Sequence, residues 1–253
     1  MKKFLTVTVV AGLLCSTVQL AAEEEIHWTY SGETGPANWG ALSEEFAACR
    51  VGKNQSPIDI RTDQLLEVRL PPINLDYQGE TTSIINNGHT LQVNVSGSNT
   101  LTAEGEKFEL SQFHFHSPSE HQIDGEAFPL EAHFVHKNSN GDIAVVGLLF
   151  QLGEKNEDLE ILGVAAPGQL GETAPITHSL AQKLTMPIRH IKRYYRYSGS
   201  LTTPPCSEGL RWYVIPVAAT ISSEQIENYI ALIGKDARGP QPINARIVLH
   251  GTE

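Results

Sequence analysis

The sequence predicts one β-dominated domain with a few peripheral helices. Three observations carry that prediction. Short runs of alternating apolar and polar residues recur along the chain. Turn signals of Gly and Asn separate them. Only one segment carries strong helix start and stop signals. The 253 residues show no internal repeat and no low-complexity linker, so one domain suffices.

Taken in order, residues 73–77 and 83–85 are the first strand candidates, divided by Gln78-Gly79. Residues 90–95 follow the Asn87-Gly88 turn and alternate cleanly. Gly97-Ser98-Asn99 ends that run. Residues 107–116 and 128–137 alternate for longer. Residues 143–152 are apolar almost throughout, which suits a strand buried on both faces. Residues 194–197 and 211–217 add two more. The strong helix is 222–233: Ser222 with Gln225 fits a capping box, Ile221 with Ile226 a hydrophobic staple, and Gly234 a stop. Residues 158–164 form a weaker helix candidate. The Leu70-Pro71-Pro72 and Thr203-Pro204-Pro205 stretches are loops.

Lys plus Arg number 18 and Asp plus Glu 29, a net charge of −11. No basic stripe is present, which argues against nucleic acid as a partner. The first 22 residues combine a basic start, a short apolar run and small residues before Glu23-Glu24-Glu25. That pattern is a secretory signal peptide, and its apolar run is too short to span a bilayer. Leu20 fits the cleavage site poorly, and Leu14 is bulky for a lipid anchor on Cys15. The expected mature chain, 23–253, is a periplasmic or secreted protein without a membrane span. Its net charge becomes −13, because Lys2 and Lys3 leave and no acid does. Of the three cysteines, Cys49 and Cys206 remain, and an oxidising compartment lets them pair.

Ten histidines are present, and most need no special role. His114 and His116 differ. In a strand of period 2 they share a face, while Phe113 and Phe115 take the other. Two phenylalanines mark the core side, and two imidazoles opposite suggest a metal; a plain polar patch is the alternative. One strand on, His133 shares a face with Glu131 and Val135, whereas His136 points away. Three neutral imidazoles with an open fourth position describe catalytic zinc. Gln112 and Glu131, each two residues before a ligand candidate, are placed to take the second imidazole N–H. A cupin reading with Glu120 as ligand also starts well. It then fails, because Leu130 stands where that motif needs glycine and Asn138 falls one place late.

Several motifs together resemble an α-class carbonic anhydrase of the secreted bacterial type. They are Asn86-Asn87-Gly88-His89, Gln112-Phe113-His114-Phe115-His116, Ser119-Glu120-His121, Glu131-Ala132-His133-Phe134-Val135 and Ser200-Leu201-Thr202-Thr203-Pro204-Pro205. Further matches are Trp28, Tyr30 and Trp39, the 54–59 stretch, and 241–246. The likeness runs from Trp28 to Arg246. It implies one catalytic domain on a large twisted, mostly antiparallel sheet with short peripheral helices. It also implies reversible hydration of CO2 to bicarbonate and a proton by zinc-bound hydroxide.

The resemblance assigns further residues. His114, His116 and His133 would hold Zn2+. Thr202 would orient the nucleophile by donating to Glu120. His89 would shuttle protons, with Tyr30, Asn87 and Gln92 on its water path. Val135, Val145, Leu201, Thr203, Leu210 and Trp212 would line the CO2 pocket. Only Val135 has support from strand alternation as well. Cys49 and Cys206 match a pair bridged in secreted members. Leu210 replaces a common valine. The 237–240 stretch departs from the expected Asn-Arg-Pro, which unsettles the position of a carbonyl that supports one ligand. A non-catalytic binding relative is the second reading, opposed by the intact histidines. Ester hydrolysis by the same hydroxide is a third, and a homodimer stays open by resemblance.

Overall fold

Strands form where the sequence alternates, and the apolar half of each goes to one of two packed faces. The computed structural model describes residues 26–164, 166–176 and 179–251. The expected signal peptide, 1–22, lies outside the described residues. Among the described residues, thirteen strands join one sheet. Its main path runs Thr173–Pro175, Glu80–Asn86, Leu91–Ser96, Glu106–His116, Leu130–Lys137, Ile143–Leu152, Glu208–Ile221, Tyr195–Ser200, Leu249–Gly251 and Leu66–Val68. Ile73–Tyr77, Asn99–Ala103 and His190–Ile191 branch from it. Most pairings are antiparallel. Ile143–Leu152 runs parallel to Glu208–Ile221, as Leu249–Gly251 does to Leu66–Val68.

The long central strands separate two apolar clusters. Phe113, Phe115 and Phe134 enter the larger one, with the Phe113 and Phe134 rings stacked at 4.9 Å. The opposite side packs Val145, Leu149, Leu210 and Trp212. His136 faces the larger cluster, as alternation predicts. There it meets the Tyr77 hydroxyl at 2.6 Å, and burial pushes its imidazole down to about 3. It is a neutral core histidine.

The C-terminal helix spans Ser223–Ile233, with both halves of the Ser222–Gln225 capping box formed and Gly234 at φ 87° ending it. The 158–164 candidate divides into a 3-10 turn, Glu157–Leu159, and a short helix, Ile161–Val164. Several short elements escape the sequence reading, and two of them show why. Asn99–Ala103 starts directly on a turn residue: the Asn99 side chain bonds the Gly79 N–H and the Ser96 carbonyl. Leu180–Thr185 is a six-residue helix too short for a visible period.

Cys49 and Cys206 form a disulfide, with Cα atoms 5.0 Å apart across a sequence separation of 157. Closing so long a loop in the unfolded chain is worth about 5 kcal/mol in the chain-entropy account.

Candidate metal centre

Register brings the three histidines together. His133 pairs directly with His114, and Glu131 with His116, across two antiparallel strands. One candidate ligand atom from each of His114, His116 and His133 lies within 4.8 Å of the others. Each ring is turned by a second contact. His114 Nδ1 donates to Gln112 Oε1 at 2.9 Å. His116 Nδ1 donates to the Asp236 carbonyl at 2.7 Å. His133 Nε2 stands 2.9 Å from Glu131 Oε1. Those commitments leave Nε2 of His114, Nε2 of His116 and Nδ1 of His133 as the free nitrogens. His116 Nε2 is buried with no hydrogen-bond partner among the described residues. Burial pushes His133 down to about 4 despite the pull of Glu131, and holds His114 well below its ordinary range. Neutral imidazole is the form that binds a metal.

Glu131 anchors the far side. Its Oε2 accepts the backbone N–H groups of Glu120 and His121 at 2.9 and 2.8 Å, and its Oε1 meets His121 Nδ1 at 2.7 Å. Burial works to raise its pKa, but the facing His121 and His133 hold it well below the usual carboxylate range. His121 continues to the Tyr197 hydroxyl at 2.7 Å, and Tyr197 to Ser56 Oγ at 2.8 Å. Ser56 meets Ser200, on the strand that runs into the Thr202 loop. A buried polar chain thus leads from the Glu131 carboxylate beside His133 to that loop.

Glu120 is buried and has two distinct oxygens. Oε1 accepts the Arg238 N–H at 2.8 Å. Oε2 lies 3.6 Å from His116 Nε2 and 3.8 Å from His133 Nδ1, with no closed hydrogen bond among the described residues. Burial pushes its carboxyl up to about 8, opposed by the Thr202 hydroxyl and the Arg238 N–H. The unsettled carbonyl near 237–240 belongs to Asp236, two residues before Arg238. Its own carboxyl is pushed up to about 7 by burial, against the nearby His116.

A cleft with about 130 Å3 of space opens beside the histidines, room for several waters. Tyr30, Asn87, His89, Gln92, Gln112 and Thr203 line it, with His114 and His116 at its floor. His89 stacks on Trp28, with centroids 3.6 Å apart and planes 6° from parallel. Asn87 Oδ1 accepts the N–H groups of His89 and Thr90, so its oxygen shapes the turn that carries His89. Gln92 bonds Asn94, and the Tyr30 hydroxyl is buried without a partner among the described residues. Val135, Val145, Leu201, Leu210 and Trp212 gather in one apolar cluster; Trp212 packs 4.8 Å from His133. Thr203 stands apart from them on the cleft wall.

Sequence reasoning leaves out Ser56, Tyr197, Tyr229 and Asp236, and gives His121 and Arg238 no role. All but His121, which lies ten residues from Glu131, reach the site through long-range contacts that local spacing does not encode.

Fold and site together define a histidine-centred enzyme built on a single large sheet. A family model described as eukaryotic-type carbonic anhydrase matches residues 34–251. The chain belongs to that family and is an enzyme of it, a lyase. It is 45% identical over 242 residues to the carbonic anhydrase of Pectobacterium carotovorum, covering 95% of this chain and 98% of that one. It is 41% identical over 245 residues to the carbonic anhydrase of Neisseria gonorrhoeae, covering 96% and 95%. The solved α-carbonic anhydrase of Thermovibrio ammonificans, in complex with the inhibitor sulfanilamide, aligns with a TM-score of 0.84 at 42% identity. That alignment covers 89% of this chain and all of that one.

Proposed function

We propose that this enzyme catalyses the reversible hydration of CO2 with Zn2+ held by His114, His116 and His133. The observation that carries most is the bare His116 Nε2, buried beside the imidazoles of His114, whose Nδ1 meets Gln112, and His133, whose Nε2 faces the Glu131 carboxylate. Leaving such an atom unpaired costs about 1–3 kcal/mol, and a cation at that point removes the cost. Bound there, Zn2+ supplies a Lewis acid that makes water nucleophilic near neutral pH, the behaviour for which carbonic anhydrases are the type example.

The chain's own residues do the rest. A cation held by the three imidazoles would favour the ionised form of Glu120 against its burial; that form can only accept, so the Thr202 hydroxyl would donate to it and turn a lone pair toward the attacking water. The Arg238 N–H holds the other carboxylate oxygen in place. CO2 is uncharged, and the apolar group around Val135, Val145, Leu201, Leu210 and Trp212 suits it better than it suits water. The proton leaves along waters in the cleft to His89, imidazole being the side chain that can take up and release a proton near neutral pH.

The test is CO2 hydration before and after stripping with a zinc chelator. Activity should vanish with the metal and return with added Zn2+. Full turnover by metal-free protein would overturn the reading. His89→Ala should slow steady-state turnover by about tenfold or more, at the low end of general acid–base contributions because water still carries some protons. Added imidazole should restore the rate while kcat/KM stays unchanged. Absence of rescue removes His89 from the path.

We further infer export, with residues 1–22 removed and 23–253 acting as one catalytic domain in the periplasm or outside the cell. The disulfide suits an oxidising compartment. Among the described residues, no helix is long and apolar enough to cross a membrane.

A further inference from the structure

We propose that Tyr229, on the C-terminal helix, is a positioning residue for His116, acting through the Asp236 carboxylate. The inference rests on the zinc reading above. Its starting point is the carbonyl that receives the His116 Nδ1 proton, since that carbonyl sets the ring's rotation. It belongs to a stretch, 234–240, with no helix or strand to hold it. Asp236 must therefore be fixed by other contacts.

Those contacts are few. The Asp236 N–H meets the Ser117 carbonyl at 3.3 Å, and Oδ1 accepts the Ser117 N–H at 2.8 Å. Both lead back to the same strand end that carries His116. They fix Asp236 to that strand end, which Ser117 Oγ also ties to the Pro129 carbonyl. The second carboxylate oxygen adds an anchor on another element: Oδ2 accepts the Tyr229 hydroxyl at 2.7 Å. Tyr229 is 1% exposed, sits in the larger core cluster and belongs to an eleven-residue helix with a formed capping box. It supplies a reference point on a different, rigid element.

Proton accounting agrees. The Tyr229 hydroxyl also lies 2.7 Å from the Phe115 carbonyl and 3.2 Å from Thr90 Oγ1. Thr90 already donates to the Phe115 carbonyl. With that carbonyl served by Thr90, the Tyr229 hydroxyl donates to Asp236 Oδ2. Thr90 follows His89 in sequence, so the same cluster ties the ligand strand to the turn that carries the shuttle.

The test is zinc affinity, measured by competition with a chromophoric chelator, together with the visible spectrum of the Co2+ form. Tyr229→Phe should weaken zinc binding by about tenfold, the low end for loss of an outer hydrogen-bond partner, and alter the Co2+ spectrum. Asp236→Asn keeps the backbone carbonyl and can still bond the phenol, so it should retain more affinity than Tyr229→Phe. In the Asp236→Ala background, Tyr229→Phe should cost nothing further. Tyr194→Phe is the control: it loses a hydroxyl bond to the Pro71 carbonyl, far from the histidines, and should lower Tm without changing affinity. A Tyr229→Phe protein with lower Tm but wild-type zinc affinity and Co2+ spectrum would show a merely structural role. An equal loss in the Asp236→Ala background would show that Tyr229 does not act through Asp236. If the wild-type chain itself binds no zinc, the function reading fails first, and separately.

Discussion

His114→Ala is expected to abolish zinc binding and CO2 hydration together while leaving the fold intact. A catalytic zinc site works with three protein ligands and an open position. Removing one leaves two imidazoles beside Glu120 Oε2, and that carboxylate is held in place by the Arg238 N–H on its other oxygen. The loss should therefore exceed the roughly 10–100-fold cost of removing an outer partner. His114 is also only half-buried at the open cleft, whereas His116, which reaches the same cleft, and His133 are buried. Truncation there opens the cleft rather than hollowing the core, so the drop in Tm should be small. Metal content, circular dichroism and CO2 hydration on one preparation check all three points. Stoichiometric zinc with wild-type turnover in the variant would remove His114 from the site.

The ligand strand was legible because side-chain direction in a strand has a period of two. Phe113 and Phe115 identified the core face, so His114 and His116 had to share the other. His133 followed because one hairpin separates it from them, and their direct pairing rests on that short connection. Thr202 had no such help. Its loop has no periodicity, and family likeness alone singled it out. Asp236 and Arg238 were harder still. They lie about 120 residues beyond the groups they hold, across the parallel joint between Ile143–Leu152 and Glu208–Ile221. No local pattern states which loop a crossover returns to the site. The same limit hid Asn99–Ala103, whose first residue serves as both turn and strand.

Glu131 offers the sharpest separation of stability from metal binding. Its carboxylate is fully buried, accepts the N–H groups of Glu120 and His121, meets His121 Nδ1 and faces His133 Nε2 at 2.9 Å. Even the facing strand makes room for it, since a Cβ on Gly147 would stand 2.7 Å from Glu131 Oε1. Glu131→Ala strands those donors and leaves a hole. It should cost about 3–5 kcal/mol, the range for breaking a buried charged pair from one side. Glu131→Gln fills the same space but offers one acceptor oxygen. The two backbone N–H groups cannot move, so they keep that oxygen, and the amide NH2 turns toward the imidazoles. His133 Nε2 must then accept rather than donate, which places the ring proton on Nδ1, the nitrogen needed for the metal. Zinc affinity should fall by roughly 100-fold, the upper end for an outer partner, while the fold survives. Chelator competition and thermal melts on the two variants read these effects independently. Wild-type zinc affinity in Glu131→Gln would mean that Glu131 does not set the His133 tautomer, and that His133 binds without its help.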